Sequence, residues 1–241
     1  MAKLDGAKVL VIGGASGVGY AVAAAALEAG ARVAVGSSQT ARIEAAAAKL
    51  GSGATGHTVD VKDEASVAAF FEAAGAFDHL VFTAGDWGQF FTPATIDDLD
   101  IARAKDLFAV RFWGAVTAVK HARKHLRASI VLTDGTVAHR PRKGAPISTA
   151  MAGAVEHLVR ALAVELAPIR VNGVCPGAVR TDIWNAIPQA QREDRFKKMT
   201  ERQLVRRIGE PDEVAEAYLY LMRGGYTTGQ ILRVDGGQTT V

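Results

Sequence analysis

The feature that most constrains this chain is a regular alternation along its length. Short runs rich in Val, Ile and Leu (KVLVIG, RVAVG, TGHTVD, HLVFTAG, SIVLTDG, IRVNGVCPG and QILRVDGG) are separated by longer Ala-rich stretches with helical spacing. Each interval can hold a crossover helix, so the repeating unit is strand, helix, strand. The strand runs are apolar throughout rather than alternating, which indicates strands covered on both faces and hence a parallel sheet. The expected fold is α/β, a Rossmann-type doubly wound sheet of seven strands with helices on both faces. Over 241 residues, 49% hydrophobic and 22% charged, no linker or charge block interrupts the pattern. That predicts a single domain spanning 1–241. In such sheets ligands bind beyond the carboxyl ends of the strands, so the segments that follow each strand carry the chemistry.

Charge and composition exclude several partners. The net charge is a mild +3. The densest basic run, KHARKHLR from Lys120 to Arg127, has no aromatic platform beside it, and reads as the wet end of a helix rather than a nucleic-acid surface. His121 and His125 sit four apart but lack a third ligand nearby, so a solvated helix face is expected there and no metal. The longest apolar segments, such as YAVAAAALEAG, read as too short to span a bilayer. The opening MAKLDGAKVLVIGG carries no basic leader and cleavage site, which predicts no export signal. A single cysteine, Cys175, allows no internal disulfide and suits a reducing cytoplasm.

The first strand runs into Gly13-Gly14-Ala15-Ser16-Gly17-Val18-Gly19 and then directly into a helix. Glycines there permit a tight turn and a close approach of backbone N–H groups to a pyrophosphate, and the helix N-terminus favours the anion. The alternative is a purely structural glycine turn. The second strand ends in Gly36-Ser37-Ser38, where an NAD-selective site places an acid for the ribose hydroxyls. Two hydroxyls with Arg42 a turn later suit a 2′-phosphate instead, so NADP(H) is favoured over NAD(H). Ser37 and Ser38 capping the helix near Thr40 is the plainer reading, and both roles are compatible.

These motifs, taken in order, resemble the short-chain dehydrogenase/reductase family over essentially the whole chain. Gly13, Gly17 and Gly19 fit its glycine motif, and Asp60-Val61 its adenine-binding pair. Thr83-Ala84-Gly85 fits the end of its Asn-Asn-Ala-Gly element, with Phe82 and Thr83 in place of the asparagines. Cys175-Pro176-Gly177 with Thr181 fits the Pro-Gly turn beside the nicotinamide, and TGQILRVDGG the last strand. The resemblance therefore implies a nicotinamide cofactor held by Gly13, Ala15, Ser16, Gly17, Val18, Gly19, Ser37, Ser38, Arg42, Asp60, Val61, Thr83, Ala84, Gly85, Pro176, Gly177, Val179 and Thr181. It also implies a homodimer or homotetramer joined through the helices that carry Arg111 and Ser148.

The same resemblance places the family's catalytic serine at Gly135, its tyrosine at Ser148, its lysine at Ala152 and its asparagine at Arg111. The separation 148 − 135 = 13 is the family's usual spacing. All four roles are vacated, which makes this a divergent member. Tyr20, Tyr218, Tyr220 and Tyr226 are the only tyrosines, and none is placed to substitute. The hydroxyls of Ser148 and Thr149 are poor acids, so the usual mechanism is excluded. Arg111 lies on an apolar stripe with Ala104, Leu107, Phe108, Gly114, Ala115 and Ala118, where a guanidinium needs a counter-ion. The expected partner is Asp134 at the end of the fifth strand. The alternative leaves Arg111 in solvent and Asp134 capping a turn.

Substrate contacts are expected from Asp86, Trp87, Phe90 and Phe91, from His139 to Lys143, and from residues 183–205 as a loop or lid. His139 alone reads as a surface residue and Cys175 as packing. The functional expectation is an oxidoreductase acting on a small molecule. Hydride transfer to a carbonyl leaves an alkoxide that needs a proton, whereas an iminium needs none. A missing acid thus biases the substrate toward iminium-like compounds, or toward carbonyls protonated through Asp134 or water. Two alternatives stay open: an inactive nucleotide-binding sensor or partner subunit, and a non-redox lyase or cyclase that uses the cofactor as a template.

Overall fold

In the first strand successive side chains leave the backbone on opposite faces, and both faces are covered. Of β1 (Lys8–Ile12), Val9 and Val11 join one apolar layer while Leu10 and Ile12 join the other. The computed structural model describes residues 4–85, 94–201 and 203–241. Six further strands follow: β2 (Arg32–Ser37), β3 (Ala54–Thr58), β4 (Phe77–Phe82), β5 (Leu126–Thr133), β6 (Arg170–Pro176) and β7 (Ile231–Val234). All neighbours pair in parallel in the order β3-β2-β1-β4-β5-β6-β7. The order reverses between β1 and β4, which opens the crevice at the carboxyl ends of the strands where this fold class binds ligands.

Helices α1 (Gly17–Glu28), α2 (Thr40–Leu50) and α8 (Pro211–Arg223) cover one face through Val22, Ala26, Ile43, Val214 and Leu221. The other face is covered by α3 (Glu64–Ala74), α5 (Gly114–Ala122) and α6 (Pro146–Glu165) through Phe70, Phe71, Ala118, Val119, Val155 and Val159. Arg170 donates to the carbonyls of Leu221 and Met222, closing the C-terminal end of α8. The remaining helices are α4 (Ile101–Phe108) and α7 (Gln189–Thr200).

Three expectations need correction. Strand β3 is an edge strand and largely exposed, so its TGHT run is polar because only one neighbour covers it. Neither Ser37 nor Ser38 caps α2: the cap is Gln39, whose N–H donates to Ser37 Oγ at 3.4 Å. Residues 146–165 form one unbroken helix, long and apolar enough to cross a membrane by length and composition, whereas the apolar runs read as too short. Its Met151, Val155 and Val159 face the sheet core.

His79 on β4 and Ser129 on β5 form a buried pair, Nδ1 to Oγ 2.8 Å, at matched register. Burial pushes the imidazole down to about 4 from its usual 6.5. The folded protein keeps this ring neutral where the unfolded chain takes up a proton, so its contribution is complete above pH 6.5 and is lost as pH falls toward 4. The expected loss is about 3 kcal/mol at most. Urea unfolding of wild type and His79→Gln at pH 7 and pH 4.5 checks it: the pH-dependent drop should shrink in the variant.

Candidate active site

The loop after β1 is shaped by what touches it. Gly13 has φ +90°, and a Cβ there would lie 2.6 Å from both the Ala84 nitrogen and Thr83 Oγ1. A Cβ on Gly19 would sit 2.3 Å from the Gly13 carbonyl oxygen, and one on Gly17 would meet Thr181 Cγ2 at 3.3 Å. Gly13, Gly17, Gly19, Thr83, Ala84 and Thr181 are thereby brought into one cradle with no room for side chains. Ala15 and Val18 pack on the core beneath it. Ser16, the N-cap of α1, makes no side-chain capping bond, so the first turn presents its N–H groups toward an anion. The residues fit a dinucleotide pyrophosphate.

The other residues of the expected cofactor set follow β2, β3 and β6. Ser37 ends β2, with Ser38 and Arg42 exposed beyond it. Asp60 accepts from the Lys62 N–H at 3.0 Å, and its own N–H donates to Ser66 Oγ. Val61 packs so closely on α5 that a Cβ at Gly114 would approach it to 2.8 Å. Pro176 ends β6; Gly177 donates to the Val234 carbonyl, and Val179 bridges to Gly209. A Gly13→Ala substitution is expected to cost about 1–3 kcal/mol of stability and to weaken NADPH binding. Thermal melting and fluorescence titration check this, and unchanged affinity would remove the loop from the nucleotide site.

Arg111 owes its position to an irregular turn. Between α4 and α5 the helix continues through a π-helical turn, Ala109–Trp113, a form that often marks functional positions. Arg111 is 6% exposed. Its Nη1 donates to the Asp134 carbonyl oxygen at 3.2 Å. A Cβ at Gly85 would lie 2.5 Å from Nη2, and one at Gly135 would lie 4.0 Å from Nη1. The guanidinium is therefore wedged between the turns that follow β4 and β5. The expected Arg111–Asp134 pairing holds in position but not in form. Its hydrogen bond runs to the main chain, while both Asp134 carboxylate oxygens lack a hydrogen-bond partner among the described residues.

That carboxylate belongs to a second group of side chains. Asp134, His139, Glu156 and Cys175 bring one donor atom each to within 4.8 Å of one another. Burial, followed by the neighbouring Glu156 carboxylate, pushes the Asp134 carboxyl up to about 8, against the opposing pull of Cys175 and Arg111. Burial likewise pushes the Cys175 thiol up. His139 is exposed, as the sequence reading has it, and places Nε2 2.5 Å from Glu156 Oε1. Glu156 was not singled out, yet Ser148, Ala152 and Glu156 follow one another at four-residue spacing, which puts all three on one helix face.

The positions at which the resemblance expects the serine, tyrosine and lysine are occupied as follows. Ser148 donates to the Ala145 carbonyl at 3.2 Å, Ala152 is buried, and Gly135 lies beside the guanidinium. Tyr218, on α8, is the tyrosine that comes near Arg111, Asp134 and Cys175. Thr133 Oγ1 donates to the Phe82 carbonyl and lies 2.7 Å from Tyr218 Oη, so the phenol must donate to Thr133. Fully buried, and with its pKa raised by that burial, this proton is committed to the core.

Of the expected substrate residues, Asp86, Trp87, Phe90 and Phe91 lie outside the described residues. An open cleft of about 650 Å³ runs along Thr95, Ile96, Arg142, Lys143, Pro146 and Thr149, taking in part of the 139–143 segment. Within 183–205, Trp184 and Phe196 meet edge to face at 4.8 Å, over a small apolar cluster with Ala178 and Ile208.

A parallel doubly wound sheet with a glycine cradle at its switch point defines a Rossmann-type nucleotide-dependent protein. A family profile described as enoyl-(acyl carrier protein) reductase matches residues 13–239. The short-chain dehydrogenase/reductase ATR9 of Stachybotrys chlorohalonatus is 35% identical over 98% of both chains. The MalC reductase/Diels-Alderase of Malbranchea aurantiaca superposes with a TM-score of 0.92 at 31% identity, covering 99% of this chain and 98% of that one. A small-chain dehydrogenase solved in complex with NADPH gives 0.80 at 31% identity, covering 98% of this chain and 100% of that one. The chain belongs to the short-chain dehydrogenase/reductase family and is an oxidoreductase of that family.

The raised carboxyl makes a test of its own. The folded protein holds on Asp134 a proton that the unfolded chain releases near pH 3.8, so ionising it in place costs stability. That cost is absent below about pH 4, grows as pH rises toward 8 and then levels. Asp134→Asn does not titrate, so its stability relative to wild type should climb across this window. A flat difference in melting temperature from pH 4 to 8 would contradict it.

Proposed function

We propose that this protein is an NADP-dependent oxidoreductase for a small carbonyl or iminium-like compound, working without the usual tyrosine–lysine pair and with Arg111 and Asp134 in its place. The observation that carries this reading is a buried Asp134 carboxyl with no hydrogen-bond partner among the described residues, beside the buried Arg111 guanidinium at the carboxyl end of β5; burial pushes that carboxyl upward. When bound, a nicotinamide dinucleotide supplies or takes up hydride. The residues of the chain then have two tasks. Asp134 holds the proton that a nascent alkoxide needs, and Arg111 lends its donors and charge to a carbonyl oxygen or an anionic group. Above its transition, the Asp134 carboxylate favours a cationic imine instead.

Preference for NADP is supported by Ser37, Ser38 and Arg42, with no carboxylate at the end of β2, and by the relative solved with NADPH. A homodimer or homotetramer is supported by apolar residues left outward on α4, on the π-helical turn and on α6: Ile101 at 60%, Trp113 at 60% and Val164 at 82% exposure. A buried free thiol at Cys175 suits a reducing cytoplasm. A second reading, ring formation in the same pocket with no net redox change, draws support from the relative named both a reductase and a Diels-Alderase.

The test is NADPH and NADH titration by fluorescence, then oxidation of the reduced cofactor with panels of carbonyls and cyclic imines across pH 6–10. Carbonyl turnover should fall as pH rises through about 8, while imine turnover should hold. Asp134→Asn should lower carbonyl turnover by about 10²-fold or more. Binding without turnover on any panel would instead mark a sensor, and turnover indifferent to both Arg111→Ala and Asp134→Ala would end the proposed mechanism.

A further inference from the structure

Two buried carboxylate oxygens, Asp134 Oδ1 and Oδ2, have no hydrogen-bond partner among the described residues, and Glu156 Oε1 has the ion-pair contact with His139 in place of one. Folded proteins seldom leave such atoms unpartnered, because desolvating them without compensation is costly, and exceptions often mark function. These atoms are also arranged as a gradient. The side chain of His139 is 28% exposed and that of Glu156 is 7% exposed, while Asp134 is 2% exposed. His139 Nε2 stands 2.5 Å from Glu156 Oε1, and the Glu156 and Asp134 carboxylates fall within the same 4.8 Å cluster, a gap that a side-chain rotation or one bridging water spans.

We propose that His139 and Glu156 form a proton conduit that reloads Asp134 from solvent. The proposal rests on the reading of Asp134 as the group that gives its proton to the product. Once Asp134 has given up its proton, one moves from His139 Nε2 to Glu156 Oε1, the N–H bond breaking as the O–H bond forms. Glu156 passes this proton to the Asp134 carboxylate, and a solvent acid restores the one lost from the imidazole. The net change is one proton moved from solvent to Asp134, with no change of oxidation state.

The surroundings suit this traffic. The groups facing Asp134 are Arg111 from the π-helical turn, Glu156 from α6, Cys175 from β6 and Tyr218 from α8. Tyr218 is bound to Thr133, and burial pushes the thiol up, so neither competes for the proton. Glu156 faces His139 and, at 3.9 Å, the Arg160 guanidinium one turn along α6. His139 and Arg160 both sit at the solvent end, where an incoming proton is delivered. The donor set Asp134, His139, Glu156 and Cys175 would also suit a transition-metal cation. The proton is favoured because His139 is already engaged with Glu156 and a buried guanidinium lies behind the cluster.

The experiment follows the Asp134 carboxyl directly, in cofactor-free protein, by the C=O infrared band that disappears in Asp134→Asn. On transfer to D₂O, its hydrogen–deuterium exchange should slow by about tenfold or more in His139→Gln and in Glu156→Gln. Carbonyl reduction by the two variants should lose kcat with KM unchanged, and added imidazole should restore it in His139→Gln, which a merely structural lesion would not allow. Exchange as fast in both variants as in wild type overturns the conduit alone. Absence of any band that depends on Asp134 overturns the reading of Asp134 as the carried acid. Stoichiometric zinc or another transition metal in the purified protein, by elemental analysis, also overturns the conduit.

Discussion

The burial of one guanidinium organises everything at the mouth of this sheet. Arg111 is held in a space bounded by the turns after β4 and β5 and bonded to the Asp134 carbonyl. A cation excluded from water must be compensated by dipoles and charges around it. The main-chain carbonyl supplies part of that compensation without taking up the Asp134 side chain, so the carboxyl is left facing Glu156 and Cys175. Its environment is then set chiefly by burial and by a like charge, and both favour the protonated form. The Asp134 carboxyl is therefore raised even though a guanidinium lies beside it.

This arrangement differs in kind from a hydroxyl tuned by an ammonium group. An ammonium neighbour lowers a pKa by stabilising the ionised form; here desolvation and a second carboxylate raise one by penalising it. Both routes bring a group toward neutral pH, from opposite directions. The carboxyl route needs less of the helix that follows β5, which is consistent with the bland occupants Ser148 and Ala152. It asks more of the deeper turn, where Glu156 stands.

Much of the architecture was legible in the sequence. Seven runs separated by helical stretches indicated the sheet; the runs of the inner strands are apolar because both faces are covered, and the polar run of β3 lies at the edge. The glycine loop was legible because its residues answer to local backbone geometry. What escaped was convergence from distant elements. Tyr218 arrives from α8, and Cys175 and Glu156 from β6 and α6; no spacing along the chain reports that they share a few ångströms with Asp134. His139 is the surface residue that it reads as, but a loop histidine has no periodicity to report its contact with Glu156. The π-helical turn was equally hidden, because it changes the direction of Arg111 without changing the composition of its stripe. Glu156 did leave a signal at four-residue spacing from Ser148 and Ala152, but a lone acid on an Ala-rich helix reads most simply as a solvated one.

Gly85 offers a last consequence. Its α-carbon lies so close to the guanidinium that even a methyl group would overlap Nη2. Positions 85 and 111 are thus coupled: a side chain at 85 asks the guanidinium to move, and a smaller residue at 111 leaves a hollow beside the turn after β4.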